Sequence, residues 1–291
     1  MSRVALITAA EARELDEDLP PLVAALTAAD ISHEIVVWDD PRVDWRSFEL
    51  AVVRSTWDYV PRRDEFLAWA DRVSAATRLL NPAAILRWNT DKQYLREMSR
   101  QGIPVVETHW IGPGDPVTIP FDRDFVVKPA VSAGAKDTAR YAPDRKPAAV
   151  EHVARLQSQG RLVMVQPYLL GLEEAGETAA IFIGGAYSHA IRKGPILKAA
   201  VDLVGGLFAK EDIRAREIRP VERALAERVL SSVPGGSGHL LYARVDMAPG
   251  PSGEPVLLEF EATEPSLFFA FSAGSAGRMA DAILRALRRP L

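Results

Sequence analysis

The chain has 291 residues, of which 48% are hydrophobic and 25% are charged, with a net charge of −4 and no cysteine. Such a composition is typical of a globular protein with more than one lobe, and the absence of cysteine excludes disulfides, thiolate nucleophiles and cysteine-based metal centres. The slight negative charge gives no footprint for nucleic acid or an anionic membrane, and no apolar run in the sequence is long enough to span a bilayer.

The first 80 residues alternate between strand and helix patterns. Val4–Thr8 is an apolar run that follows the N-terminus directly, without the apolar length of a signal peptide, so a cytoplasmic location is expected. Further strands are predicted at 34–38 and 50–54, and helices at 20–29 and 61–75. This alternation predicts a parallel α/β unit with ligands at the carboxyl ends of its strands.

Polar and aromatic residues follow the third of these strands, from Arg54 to Tyr59. Their types fit a small-molecule pocket, although a turn around a packed aromatic side chain fits nearly as well. The candidate substrate contacts in this segment are Arg54, Ser55, Thr56 and Asp58.

Two lysines come next, each in a different setting. Residues 89–101 are predicted to form one helix, which carries Lys92, and an apolar strand ends at Lys128. A run of small residues that includes Ser132 and Gly134 follows this strand. Such a loop brings backbone N–H groups close to phosphate while lysine supplies a point charge. It matches neither a Walker loop nor a Rossmann glycine motif, and taken alone it is explained about as well by a flexible surface loop.

A predicted hairpin near the C-terminus alternates charged and apolar residues, which is the period of a half-buried strand. Its charged residues are Arg244, Asp246, Glu259 and Glu261. If the hairpin closes symmetrically, Met247 pairs with Val256 and the four charged side chains share one face. Three carboxylates so close together need a counter-charge, and Mg²⁺ supplies one together with substrate phosphates. The hairpin therefore predicts a metal–phosphate site; a solvated face, on which Arg244 merely neutralises Glu259, is the alternative.

The order of these motifs along the chain resembles the ATP-grasp superfamily, the fold of D-alanine ligase, glutathione synthetase and ribosomal-protein glutamate ligases. The resemblance extends over roughly residues 80–275. Within the superfamily, the segments 54–59 and 87–92 look like a bacterial subgroup that includes the O-ureido-serine cyclo-ligase of cycloserine biosynthesis. The resemblance implies an α/β fold with three parts: an N-terminal parallel α/β domain at 1–85, a small ATP-grasp lobe with the phosphate loop at 86–170, and a C-terminal lobe with the metal site at 171–291.

The resemblance also implies a role for each matching residue. Lys92 and Lys128 would hold the α- and β-phosphates of ATP, and the loop with Ser132 and Gly134 would close over them. The residues expected around adenine are Gln166, Tyr168 and Leu169. Glu177 would accept the ribose hydroxyls, with Glu174 and Glu173 as alternatives.

The hairpin residues match the catalytic end of such a site. The expected magnesium ligands are Asp246, Glu259 and Glu261, and the last of these is more often asparagine in the ligases named above. Arg244 would stabilise the transferring phosphoryl group and the tetrahedral intermediate. The remaining candidate contacts to substrate are Arg192, Lys193, Glu264 and Ser266.

The resemblance implies an enzyme that uses ATP and two Mg²⁺ ions, with Mn²⁺ as an alternative, to activate an amino-acid carboxylate as an acyl phosphate, which a nitrogen then attacks. The favoured reaction is the intramolecular cyclisation of O-ureido-D-serine to D-cycloserine, in which the nucleophile belongs to the same molecule. An intermolecular amino-acid or peptide ligase, a phosphotransferase and a non-catalytic nucleotide sensor remain as alternatives. The partner is a small molecule, and the oligomeric state stays open, a homo-oligomer included.

Overall fold

The computed structural model of the chain describes residues 3–195 and 212–289. Within these residues the strands form three sheets, one parallel and two antiparallel. None of the helices in the described ranges has the length and apolar character needed to cross a membrane.

The first sheet is parallel, as the alternating sequence pattern predicts. Its elements are β1 (Arg3–Thr8), α1 (Leu19–Ala28), β2 (Ser32–Val37), β3 (Leu50–Ser55), α2 (Arg63–Ala76) and β4 (Arg78–Leu80). The strand order is β2-β1-β3-β4, and all neighbours run parallel. Strands β1 and β3 are buried along nearly their whole length, which is typical of parallel strands covered on both faces.

The connection to the rest of the chain contains two short helices rather than the one predicted over 89–101. They are α3 (Ala83–Asn89) and α4 (Tyr94–Arg100), and Lys92 lies in the turn between them. The prediction was wrong because tertiary hydrogen bonds replace the helical ones. The Asn89 side chain bonds the backbone at Phe260 and Ala262, and the backbone N–H of Lys92 donates to the carbonyl of Ala130.

The second sheet is small and antiparallel. Its elements are β5 (His109–Ile111), β6 (Phe125–Pro129), β7 (Ala139–Tyr141), α5 (Lys146–Ser158) and β8 (Val163–Pro167), with the strand order β5-β8-β6-β7. Helix α5 packs Ala149, Val153 and Leu156 against one face of this sheet. In this strand order β6 has a neighbour on each side, β8 and β7. Lys128 therefore extends from a backbone that the sheet holds in place.

The third sheet is larger and is covered on both faces. Its elements are α6 (Gly171–Ala175), β9 (Glu177–Ile183), β10 (Ala186–Lys193), β11 (Ile213–Arg216), α7 (Pro220–Ser231), β12 (Tyr242–Pro249), β13 (Pro255–Glu261) and α8 (Ser275–Arg288). The strand order is β11-β10-β9-β12-β13. Ala180 and Phe182 pack with α4 and α7 on one face, whereas Ile181 and Ile183 pack with α1 and α8 on the other. The N-terminal unit and the C-terminal helix thus share one core.

The hairpin of β12 and β13 forms where it was predicted, with a different register. Met247 pairs with Leu257 instead of Val256, and the pairing shifts between Asp246 and Met247. The skipped residue is Leu258, so the strand contains a bulge that symmetric closure did not anticipate. Beyond the bulge, Asp246 lies opposite Glu259 and Arg244 lies opposite Glu261, so the four charged residues do share one face.

Candidate active site

A cavity of about 1170 Å³ opens between the loops of the first sheet, the small sheet and the charged face of the hairpin. All but four of the residues proposed from the sequence as site residues line it. The four exceptions are Arg54, Ser55, Thr56 and Arg192. The motifs therefore converge on one cleft, although they are spread over more than 200 positions of the chain.

Three of the four exceptions are buried, whereas Arg192 is partly exposed, and three of them make hydrogen bonds within the protein. Arg54 is 1% exposed and donates from Nη2 to the carbonyl of Pro265 (3.2 Å). The hydroxyl of Ser55 bonds that of Thr8 at 2.8 Å. Arg192 donates to the carbonyls of Ala175 and Glu174. Their role as substrate contacts stays a prediction.

Lys92 and Lys128 meet above the hairpin. The ammonium of Lys92 lies 2.9 Å from Oε1 of Glu259 and donates to the carbonyl of Ser132 at 2.8 Å. Burial, together with the neighbouring charge of Lys92, lowers the pKa of Lys128 to about 8, although Glu259 opposes the shift. Two ammonium groups in so confined a place attract an anion with several negative oxygens.

The loop after Lys128 contains several left-handed residues. Gly134, Ala135 and Asp137 all adopt positive φ angles, of 61°, 58° and 57°. Left-handed residues can turn backbone N–H groups toward one side of a loop, which is a feature of anion-binding loops. Side chains also hold the loop, because Arg161 donates to Asp137 at 2.6 Å and to the carbonyl of Val131.

The hairpin carboxylates form a network with three cations. Arg244 places Nε and Nη2 against the two oxygens of Asp246, both at 2.9 Å, and its Nη2 also donates to Glu261. Lys193 donates to Asp246 at 2.8 Å and pairs with Glu177. Lys193 therefore lies with the hairpin charges. The carboxylate of Glu177 pairs with Lys193. Its contact with the ribose hydroxyls of ATP stays a prediction.

The network still contains more negative than positive charge. Burial raises the pKa of Glu261 to about 7 and that of Glu177 to about 8, although Arg244 and Lys193 oppose these shifts. Burial acts in the same direction on Asp246, but Arg244 and Lys193 outweigh it and hold the pKa of Asp246 well below its usual range.

The chemistry of these side chains can be compared with what a divalent cation needs. Hard oxygen donors on one face, two of them with raised pKa values, suit Mg²⁺ in type. Among the described residues, however, no three Asp, Glu or His side chains are already arranged around one point. Glu259 and Glu261 each use only Oε1 in their ion pairs with Lys92 and Arg244, so Oε2 of each remains for another ligand.

The other end of the cleft is aromatic and amide-lined. Gln166, at the end of β8, donates to the hydroxyl of Thr108 at 2.8 Å. The guanidinium of Arg140 lies 3.5 Å from the ring centroid of Tyr168 and pairs with Glu173. Leu169 is buried beside them. Gln166, Tyr168 and Leu169 therefore lie together at one end of the cleft, and their contact with adenine stays a prediction.

Glu264 occupies the cleft wall on the side of the first sheet. It hydrogen-bonds to Tyr59, and the indole of Trp57 donates to its carbonyl at 3.1 Å. Burial and the charge of Glu261 raise the pKa of Glu264 to about 8. No lysine, arginine or histidine of the described ranges forms an ion pair with it. Asp58, the other predicted acid, already accepts a hydrogen bond from the indole of Trp38 and forms an ion pair with Arg62.

Sequence reasoning missed Asp18, which lies on the cavity wall. An aspartate before Leu19 and two prolines is typical of a helix cap, and this ordinary interpretation hides its real contacts. The side chain makes no capping bond to α1. Instead, it accepts N–H groups from Leu267, Phe268 and Phe269 at the far end of the chain.

Known proteins resemble this chain over its entire length. A family model described as the N-terminal domain of D-cycloserine synthetase DcsG matches residues 4–81. The cycloserine biosynthesis protein DcsG of Streptomyces lavendulae is 37% identical, with 99% of this chain and 100% of that protein covered.

Solved structures agree with this result. A crystal structure of D-cycloserine synthetase DcsG superposes with a TM-score of 0.89 at 37% identity, covering 99% of this chain and 100% of the other. The D-alanine–D-alanine ligase of Bacillus anthracis, crystallised with ATP, reaches a TM-score of 0.67 at 15% identity, covering 99% and 97%. The second likeness concerns the fold alone.

Proposed function

Because the chain belongs to the D-cycloserine synthetase family of ATP-grasp ligases, we propose that it closes O-ureido-D-serine into D-cycloserine at the expense of ATP. The observation that carries the proposal is the cleft itself. It brings two lysines and the loop after Lys128 within reach of the three hairpin carboxylates and Arg244. Family membership supplies the substrate, and the geometry supplies the groups for phosphoryl transfer.

ATP would lie along the cleft from its aromatic end to the hairpin. Gln166, Tyr168 and Leu169 would surround adenine, while Lys92 and Lys128 hold the phosphates under the loop at Ser132 and Gly134. Asp246, Glu259 and Glu261 would hold Mg²⁺. We expect two ions, and Mn²⁺ as an alternative. When bound, the metal neutralises charge on the transferring phosphoryl group.

The substrate carboxylate attacks the γ-phosphate in line, so a new O–P bond forms as ADP leaves. The ureido nitrogen that is bonded to oxygen then attacks the acyl carbon. The C–N bond closes a five-membered ring, the C–O bond to phosphate breaks, and the departing phosphate takes the proton from the nitrogen. Hydrolysis of the carbamoyl group, which consumes one water, releases carbon dioxide and ammonia. Arg244 is placed to stabilise negative charge in both steps, because its guanidinium is fixed on the hairpin face.

We assign the substrate's ammonium group to Glu264. This side chain lines the cavity, is half-buried and forms no ion pair in the part of the chain that the structure describes, whereas Asp58 is already paired with Arg62. A carboxylate of this kind is stabilised by a cation that the ligand brings. Such an enzyme would act on a small molecule in the cytoplasm.

The proposal is tested by ADP release from purified protein with Mg-ATP and a panel of amino-acid carboxylates that includes O-ureido-D-serine, with the product mass determined. ADP release with that compound alone, together with the mass of D-cycloserine, is the expected result. A requirement for a separate amine would instead indicate an intermolecular ligase. Failure of hydroxylamine to trap an acyl group would indicate a phosphotransferase, and no ADP release with any substrate would leave a nucleotide sensor.

A further inference from the structure

We propose that Asp18 and Arg54 are positioning residues that fix the segment 263–269 and, through it, the orientation of Arg244 during catalysis. The inference rests on the proposed function for the role of Arg244. It gives the N-terminal sheet a task beyond lining the substrate side of the cleft.

The segment 263–269 follows β13 and belongs to no sheet, yet side chains from other parts of the fold hydrogen-bond to most of its backbone polar groups. Five consecutive carbonyls accept hydrogen bonds from side chains. The donors are Tyr242 to Thr263 (2.9 Å), Trp57 to Glu264 (3.1 Å), Arg54 to Pro265 (3.2 Å), Arg244 to Ser266 (3.0 Å) and His189 to Leu267 (2.9 Å). Because no ladder sets the position of this segment, these side chains set it.

Asp18 binds the other side of the same backbone. Its Oδ2 accepts from Leu267 at 2.5 Å and from Phe268 at 3.0 Å, and its Oδ1 accepts from Phe269 at 2.8 Å. The residue is 4% exposed. Charge-assisted bonds to three successive N–H groups are both strong and directional. They hold Phe268 in a left-handed conformation, with φ at 54°, which a non-glycine residue adopts only when its surroundings impose it.

Arg54 completes the clamp. Its Nη2 lies 3.8 Å from Oδ2 of Asp18, so the guanidinium balances the buried carboxylate, and the same nitrogen donates to the carbonyl of Pro265. Both residues come from the carboxyl-end side of the first sheet. The clamp therefore connects that sheet to a segment about 250 residues further along the chain.

The segment in turn touches Arg244 at two points. The carbonyl of Ser266 accepts from Nη1 at 3.0 Å, and the Phe268 ring lies 5.5 Å from the guanidinium carbon. Asp246 fixes the opposite edge of the same guanidinium. A displacement of Ser266 would thus rotate Arg244 about Asp246, away from the reacting atoms, while leaving the nucleotide lysines in place.

The decisive variant is D18N, which keeps the side-chain shape but replaces one acceptor oxygen by an NH₂ group that faces backbone N–H groups. We expect kcat for cyclisation to fall about 100-fold, the typical effect of a displacement of about 1 Å at a reacting centre. ADP affinity, measured by calorimetry, should stay within about twofold, because Lys92 and Lys128 do not contact the clamp. Hydrogen exchange should increase at the amides of 267–269 and remain unchanged in β12.

The matched control is E222Q. Glu222 is also a buried carboxylate with several hydrogen bonds, from Thr178, Arg216 and Arg219, and it lies outside the cavity. This variant should lose stability and keep kcat. If D18N keeps kcat within about threefold of the wild type, if E222Q loses as much as D18N, or if ADP affinity falls together with kcat, the inference is overturned.

Should D18N not fold, R54M decides on the same thresholds, since methionine removes both the charge beside Asp18 and the donor to Pro265. R54K, which keeps the charge and one donor, should retain kcat within about threefold of the wild type. Absence of ADP release by the wild-type protein would refute the proposed function. Turnover by the wild type with equal turnover by the variant would refute the clamp alone.

Discussion

Replacement of Arg244 by lysine separates the charge of this residue from its geometry. R244K keeps one positive charge beside Asp246 and Glu261, but a single ammonium cannot reproduce the planar fork. We expect the protein to fold, to bind nucleotide normally and to lose most of its turnover. R244M, which removes the charge as well, should in addition be strongly destabilised.

The magnitudes follow from the contacts of the guanidinium. Arg244 makes two bonds of 2.9 Å to Asp246, one of 3.0 Å to the carbonyl of Ser266 and one to Glu261. Removing a preorganised donor that stabilises developing negative charge costs about 10²–10³ in kcat, or about 2.7–4 kcal/mol. Removing the cation leaves buried carboxylates with Lys193 as a remaining partner, and breaking such a pair costs about 3–5 kcal/mol of folding stability.

The assay combines ADP release at saturating ATP and substrate with urea unfolding of the same preparations. R228K is a suitable control, because Arg228 donates to the carbonyl of Gly102 on the outer surface, away from the cleft. A kcat of R244K within tenfold of the wild type would refute the geometric argument. Equal losses of stability in R244K and R244M would refute the electrostatic one.

Three further substitutions test other parts of the site and the fold. E259Q removes an expected metal ligand and should lower turnover more than about 1000-fold without unfolding the protein; near-normal turnover at saturating Mg²⁺ would contradict this. E264Q should raise the KM for the amino-acid substrate about 10- to 100-fold and leave the KM for ATP unchanged, since it removes a charge-assisted bond; a substrate analogue without the amino group should bind both proteins alike. Burial lowers the pKa of His152 from 6.5 to about 4. As the pH falls, the unfolded chain therefore takes up a proton at this residue before the folded protein does. The free energy of unfolding should decrease between pH 6.5 and pH 4 by up to about 3 kcal/mol. The unfolding free energy of His152→Leu should lack this part of the pH dependence in urea titrations, and identical pH profiles would exclude the explanation.

The hairpin shows how far sequence patterns reach. Alternation of charged and apolar residues was enough to place Arg244, Asp246 and Glu261 on one face, because the side-chain period of a strand is fixed. The partner of each residue was not predictable. The bulge at Leu258 shifts the register, so Arg244 lies opposite Glu261 rather than Glu259 and forms its ion pair with Glu261.

Two other features also depend on contacts between distant residues. Lys92 has helical neighbours in sequence, but Asn89 bonds the backbone of the hairpin and ends the first helix before it. Arg54 lies near the end of a strand, among polar residues of the types that line pockets. Only the folded chain shows that its Nη2 donates to the carbonyl of Pro265. Local propensity contains no information on either partner.

The core that α1 and α8 share has a consequence for the synthesis of the protein. Leu22 and Leu26 of α1 pack with Met279 and Ile283 of α8, so their apolar surface stays uncovered until α8 has left the ribosome. At about 5–20 residues per second, this delay lasts about 12–50 s. Chains that are cut short before α8 would leave that surface uncovered and be prone to aggregation and proteolysis.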